Sequence, residues 1–254
     1  MIRLIGRLDL RNSNHIKTIN CEGVRIIRPL VDSIRYFSEG DSELDELIVI
    51  DTVASLYGYK NWLLRSDYEH FFAPIPLCVA GAIDSVNTAC QTLSKGADKI
   101  ALNSAAIASP SLLSQISGSC GQQALVLQID TRKIDDNYYC FFNGGRELSR
   151  YKLDDWISIA HDNGVGELHV TAIDSEGTRH PFPRCLADKV SNATHLPIII
   201  SGGIRSPDQI ARLFHDFGIS AFSFSSILNI CGITVSSLRS ELSSLKLSVR
   251  NSPA

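Results

Sequence analysis

PLCVAGAIDS (residues 76–85) and PIIISGGIRS (residues 197–206) are two copies of one short pattern. Each runs from a proline through an apolar stretch into a glycine turn, and ends on a serine placed to start a helix. That is a strand passing directly into a helix, the βα unit. The copies lie 121 positions apart. The same shift carries Asp9 onto Asp130, Glu46 onto Glu167, Leu47 onto Leu168, Gly81 onto Gly202 and Ile83 onto Ile204. With one residue added, Gly96 pairs with Gly218 and Ser104 with Ser226. A constant shift over so many positions implies two related halves, spanning about residues 1–121 and 122–245.

Outward from these copies, runs rich in β-branched residues recur about every thirty positions. They are Ile2–Leu8, Leu47–Ile50, Leu77–Val79, Lys99–Leu102, Ala124–Ile129, Glu167–Thr171, Pro197–Ile200 and Ser220–Phe224. Most are continuously apolar, as strands covered on both faces must be. Between them Ser85, Ser109-Pro110 and Ser206-Pro207 mark helix starts, with serine as cap and proline in the first turn. Eight strands alternating with helices in a chain of 254 residues predict one (β/α)8 barrel. An open doubly wound sheet would carry a G-x-G-x-x-G turn after the first strand, and RLDLRNSN does not.

A net charge of −3 argues against a broad nucleic-acid surface. The seven cysteines form no C-x-x-C pair, so neither a zinc site nor a redox motif is indicated, and the expected compartment is reducing. The N-terminal apolar stretch is short and broken by Arg3 and Arg7, which predicts neither a signal peptide nor a membrane span, and a cytoplasmic location. No metal and no cofactor are implied.

In a barrel the working groups sit where strands end. Asp9 and Asp130 end the first and fifth strands and face each other across the mouth, where two carboxylates can serve as general acid and base. Each could instead cap a loop or pair with a nearby cation. Small residues mark four further strand ends: Gly81-Ala82, Asn103-Ser104, Gly202-Gly203 and Ser225-Ser226. Glycine lets backbone N–H groups approach an anion, although it is also the ordinary residue of a tight turn. Two such sets related by the repeat point to a substrate with a phosphate at each end. The loop from Asp174 to Thr178 lines the same cavity or is an ordinary turn. Arg3, Glu46, Lys99 and Glu167, each at a strand start, form a charged ring that is either structural or the gate of an axial passage. Tyr57, Tyr59 and Trp62 read as packing residues.

RLDL followed by Lys17, LDELIVID-x-x-AS, GADKIALNSAA, ELHVTAIDSEGT and IIISGGI are similar, over essentially the whole chain, to the cyclase subunit of imidazole glycerol phosphate synthase. The resemblance implies an enzyme of histidine biosynthesis. It would use ammonia from a glutaminase partner to split and cyclise a bis-phosphorylated ribulosyl formimino aminoimidazole carboxamide nucleotide. It implies Asp9 and Asp130 as the acid/base pair and Lys17 on a mobile first loop. Gly81, Ala82, Asn103 and Ser104 would hold one phosphate, and Gly177, Gly202, Gly203, Ser225 and Ser226 the other. Arg3, Glu46, Lys99 and Glu167 match the ammonia gate, with Asp98 and Gln123 at the partner-facing end and in the path.

The sequence departs from that pattern at Ala80 and Ala82, which flank the first glycine turn, at Ala172 and Glu176, and at Phe224, whose ring is expected to crowd the second phosphate. The Ala54–Gly58 stretch resembles cyclase-like paralogues that supply ammonia to a sugar-amidating enzyme of surface-polysaccharide synthesis. Two further readings are the related isomerase of the same pathway, and a barrel that serves only as an assembly scaffold.

Overall fold

A computed structural model describes residues 1–68, 71–178, 180–225 and 233–250. In chain order its strands are β1 (Arg3–Arg11), β2 (Asn14–Ile19), β3 (Glu22–Pro29), β4 (Glu46–Asp51), β5 (Leu77–Ala80) and β6 (Lys99–Leu102). They continue with β7 (Leu125–Ile134), β8 (Asn137–Phe142), β9 (Glu147–Lys152), β10 (Glu167–Ala172), β11 (Ile198–Ser201) and β12 (Ala221–Phe224). The helices are α1 (Leu30–Phe37), α2 (Ala54–Tyr57), α3 (Val86–Ser94), α4 (Ser104–Ala108) and α5 (Ser111–Cys120). After these come α6 (Leu153–Asp162), α7 (Arg184–Ala193), α8 (Pro207–Phe217) and α9 (Val235–Ser244).

Eight of the strands close a parallel ring in the order β1-β4-β5-β6-β7-β10-β11-β12, with β12 returning to pair with β1. The chain is a (β/α)8 barrel. β1 and β7 stand four places apart in a ring of eight, hence on opposite walls. All eight expected strands are present.

Alternation along each strand sorts side chains to two sides of the wall. Ile5, Ile48, Ile50, Cys78, Ala80, Ala101, Val126, Ile199 and Ala221 form one buried cluster, which fills the inside of the barrel. Their strand neighbours, such as Leu4, Leu47, Leu77 and Phe222, belong to the larger core between the strands and the helices. Trp62 is part of that core and packs edge-on against Tyr68 and Phe71, whereas Tyr57 and Tyr59 are exposed. Among the described residues no helix is long and apolar enough to cross a membrane.

Local signals explain how the helices start. Ser85 and Ser206 accept hydrogen bonds from the backbone N–H groups of Thr88 and Gln209, each 3.2 Å long. Such a cap contributes about 1 kcal/mol. Ser109 does not cap in this way. Pro110 takes the cap position of α5, and the Ser109 side chain turns to Ser111.

Two hairpins lie outside the expected pattern. β2 and β3 extend β1, and β8 and β9 extend β7, all antiparallel. The stretch after the first strand is therefore a folded hairpin rather than a loop. Ile16 and Thr18 of β2 and Asn143 and Gly144 of the β8–β9 turn line one cleft at the mouth, so both hairpins wall it.

Candidate active site

On β1 the residues Arg3, Ile5, Arg7 and Asp9 share one face by the two-residue alternation, and that face is the barrel interior. Arg7 and Asp9 reach the mouth and are both buried. The Arg7 Nε–H donates to Asp9 Oδ1 at 2.8 Å. Its Nη1 donates to Thr171 Oγ1 at 3.1 Å and Ser201 Oγ at 3.4 Å, and stands 4.0 Å from Glu176 Oε2. One guanidinium thus ties three strands of the mouth together. Glu176 also pairs with Lys17, which lies on β2, buried. Lys17 thus lies in a strand of the first hairpin rather than in a loop. The β2 ladder and the Glu176 carboxylate hold it in place.

Across the mouth Asp130, on β7, has only neutral hydrogen-bond donors among the described residues, the Thr171 hydroxyl included. Asn103 Nδ2 donates to its Oδ2 at 2.9 Å, and Gln128 Nε2 lies 3.2 Å from each of its oxygens. Burial raises the Asp130 pKa above the ordinary aspartate value, against the pull of Arg7 and with Asp9 adding to the rise. Burial pushes Glu176 the same way, but Lys17 and Arg7 outweigh it and hold the carboxylate below its usual range. His169, on β10 between Glu167 and Thr171, is fully buried, with neither ring nitrogen bonded among the described residues. Burial, reinforced by Arg7, lowers its pKa to about 3, so the ring is neutral.

The first-half glycine turn opens on a cleft shared with both aspartates. Gly81, Ala82, Asn103 and Ser104 line it together with Arg11 and Arg146. Gly81 has φ +96°, and a Cβ there would stand 2.5 Å from the Asp51 carbonyl oxygen, so no other residue fits. Ala82 adopts φ +52°, which an L-residue enters at a cost of roughly 1 kcal/mol. Its N–H donates to Ser55 Oγ at 3.1 Å, and the Ser104 hydroxyl accepts from the Asn143 N–H at 3.0 Å. The Ala82 N–H is thus occupied within the protein, whereas the Ser104 hydroxyl, which only accepts here, keeps its O–H to donate. The exposed guanidinium groups of Arg11 and Arg146 supply positive charge that the strand-end reading did not include.

The second-half turn is more enclosed. Gly177 and Gly203 are half-buried, and Gly202 is buried. The Gly203 carbonyl accepts from the Phe182 N–H at 3.0 Å, and a Cβ at Gly203 would lie 2.7 Å from the His180 carbonyl oxygen. Residues 180–182 therefore cover this turn. Ser225 is buried, and Ser226 lies outside the described residues. Phe224 does not crowd the turn as expected. Strand alternation puts it in the core between barrel and helices, with Ser223 facing inward instead.

At the other end of the barrel the four strand-start charges meet. Arg3 pairs with Glu46 at 3.1 Å and with Glu167, while Lys99 stands 3.3 Å from Glu46 and 2.8 Å from Glu167. Each cation bridges both carboxylates, which closes a four-membered ring across the axis. Asp98 and Gln123 lie exposed at this same end. Asp98 accepts from the Leu77 N–H at 2.8 Å, and Gln123 sits on the short 3-10 turn before β7, at the rim rather than within the passage.

These features place the chain among (β/α)8 barrels with a carboxylate pair at the strand ends and a charged ring at the opposite end. Comparison with known proteins makes that specific. The pattern of the family described as "Histidine biosynthesis protein" matches residues 3–229. The imidazole glycerol phosphate synthase subunit HisF of Legionella pneumophila is 39% identical over 207 residues, covering 80% of this chain and 95% of that protein. The subunit of the same name from Chlorobaculum tepidum is 31% identical over 251 residues, 98% of each chain. That from Chlorobium phaeobacteroides is 35% identical over 205 residues, 79% of each. The chain belongs to the histidine biosynthesis protein family.

Proposed function

We propose that the chain is the cyclase subunit of an imidazole glycerol phosphate synthase. Its reaction would use glutaminase-derived ammonia to convert a bis-phosphorylated ribulosyl formimino aminoimidazole carboxamide nucleotide into imidazole glycerol phosphate and aminoimidazole carboxamide ribotide. The observation that carries this reading is the pair of buried carboxylates, Asp9 and Asp130, on opposite walls beside a cleft lined by Arg11 and Arg146. Aspartates with unlike partners can give and take protons in one turnover.

In this reading Gly81, Ala82, Asn103 and Ser104, with the two arginines, receive one phosphate. Gly177, Gly202, Gly203, Ser225 and Ser226 receive the other once residues 180–182 yield the second turn. Lys17 acts from β2 through its pair with Glu176. Arg3, Glu46, Lys99 and Glu167 gate ammonia, and opening the axis requires parting at least one of their ion pairs. Asp98 and Gln123 lie on the face that meets the glutaminase. The enzyme works in the cytoplasm, and its barrel consists of the two halves that the repeat defines.

The test is direct. Purified protein supplied with the nucleotide and an ammonium salt should consume it and release both products. Absence of turnover with ammonia contradicts the proposal.

A second reading is the cyclase-like paralogue that passes ammonia to a sugar-amidating enzyme. It is favoured by the occupied Ala82 N–H and by the covered Gly203 turn. It predicts that the nucleotide does not bind at all.

A further inference from the structure

The 121-residue shift that carries Asp9 onto Asp130 also carries Arg7 onto Gln128. In both halves the residue two positions before the aspartate lies on the same face of the strand and donates to it. In one half that donor is a guanidinium, and in the other a neutral amide. We propose that Arg7 is a positioning residue that divides the work of the two aspartates: it holds Asp9 as the carboxylate that accepts a proton, and leaves Asp130, which takes neutral amide and hydroxyl donors in place of an ion pair, as the acid that gives one. The proposal rests on the cyclase reading and names the direction of proton flow within it.

Charge balance in the buried mouth supports this division. Among the described residues of this cluster, Arg7 and Lys17 are the two buried cations, and Asp9, Glu176 and Asp130 the three buried carboxyl groups. Burying an uncompensated charge costs several kcal/mol, on the order of a whole ion pair's worth. The cluster is neutral only when one carboxyl group carries a proton. Asp9 has Arg7 at 2.8 Å and Glu176 has Lys17, which leaves Asp130. The other titratable groups near the cluster do not change the count. His15 on β2 and His169 on β10 are neutral, with pKa values lowered to about 4 and about 3 by burial. The thiols of Cys21 and Cys140 are kept protonated by burial. The Asn103 amide supplies a partner for either state of Asp130. Its Oδ1 is buried without a bond, so turning the amide over would accept the Asp130 proton.

In turnover one proton passes from the substrate to Asp9 and one from Asp130 to the substrate. The cluster's net charge is the same before and after, so the step adds no net charge to the dry mouth.

Two readouts test the division. Carboxyl 13C NMR of the unliganded protein, with Asp130→Asn to assign the signal, should show the Asp130 carboxyl holding its proton above the ordinary aspartate range. An Asp130 carboxyl that is already ionised in that range overturns the proposal. Arg7→Gln makes the two halves alike, and should lower kcat with ammonium by roughly tenfold or more at little change in nucleotide KM, with Arg7→Lys restoring most of it. An unchanged kcat in Arg7→Gln also overturns it. Where Arg7→Gln does not fold, the Asp130 signal and Arg7→Lys decide. An unreactive nucleotide with Asp130 still protonated would remove the cyclase reading and leave the charge division standing. Turnover with Asp130 ionised would do the opposite.

Discussion

The barrel axis carries a charged cluster at each end, and the two are built to different balances. At the strand starts Arg3 and Lys99 face Glu46 and Glu167, two cations against two carboxylates, each bridging both of its opposites. At the mouth two cations face three carboxyl groups. The lower ring is partly open to water, with side-chain exposures of 30% for Arg3 and 24% for Lys99, whereas no side chain of the upper cluster exceeds 6% among its ion pairs. A balanced, wetted ring can open and close at modest cost. An unbalanced, dry cluster favours holding a proton. In the cyclase reading the difference separates the proposed gate from the proposed site of proton transfer.

The largest expected effect falls on the mouth. Asp130→Asn should lower ammonium-dependent turnover by roughly 10²–10⁴, measured as kcat with saturating nucleotide. The same variant should be more stable than wild type at neutral pH. The folded-state pKa of Asp130 is raised, so the stability it contributes is present in acid and lost as pH rises through that value. Denaturant curves at two pH values check the sign.

Glu176→Gln leaves the buried Lys17 without its carboxylate and should cost about 3–5 kcal/mol at neutral pH. Because the Glu176 carboxyl is held below its usual range, its contribution exists above the unfolded value and fades as pH falls through the folded one. The penalty should therefore shrink in acid. A penalty independent of pH would show that Glu176 acts by packing rather than by charge.

His169→Leu sharpens the contrast from the interior between the clusters. The imidazole pKa falls from 6.5 to about 3 on folding, so its protonation opposes the folded state over that range. The variant's advantage in unfolding free energy should grow by about 1.4 kcal/mol for each pH unit below 6.5, and level off near the lower value.

The smallest effect belongs to the lower ring. Lys99→Met should cost only about 1 kcal/mol, because water screens this end, and added salt should reduce the difference. A loss as large as that of Glu176→Gln would erase the distinction between the two clusters.

Much of this was legible in the sequence, and what was missed has physical causes. The eight barrel strands are sandwiched on both faces, so they stand out as apolar runs, and the repeat fixed Asp9 and Asp130 on opposite walls. The hairpin strands are not continuously apolar, β2 because its buried run includes His15, Lys17 and Thr18, and β3 because it is mostly exposed. NHIKTI and EGVRIIRP mix polar and apolar residues, and a search for continuous apolar runs passes over them. Their turns were nevertheless marked, by Asn20-Cys21 and Asp135-Asp136 at one end and by Asn143-Gly144-Gly145 at the other, positions where the backbone takes positive φ at Asn20, Cys21, Asp135, Asn143 and both glycines. Arg7 was read only as a break in an apolar N-terminus. Its parity with Arg3 and Asp9 already placed it inside the barrel, and the repeat already paired it with Gln128. Phe224 shows the converse: one position's shift in strand phase moves a ring from the mouth to the outer core.

Calorimetric titration of the bis-phosphorylated nucleotide into Asp130→Asn, folded but slowed in turnover, tests most directly that this mouth receives a two-phosphate substrate. The prediction is one nucleotide bound per chain, weakened by added inorganic phosphate and by Arg146→Ala. No heat of binding at any accessible nucleotide concentration would contradict it.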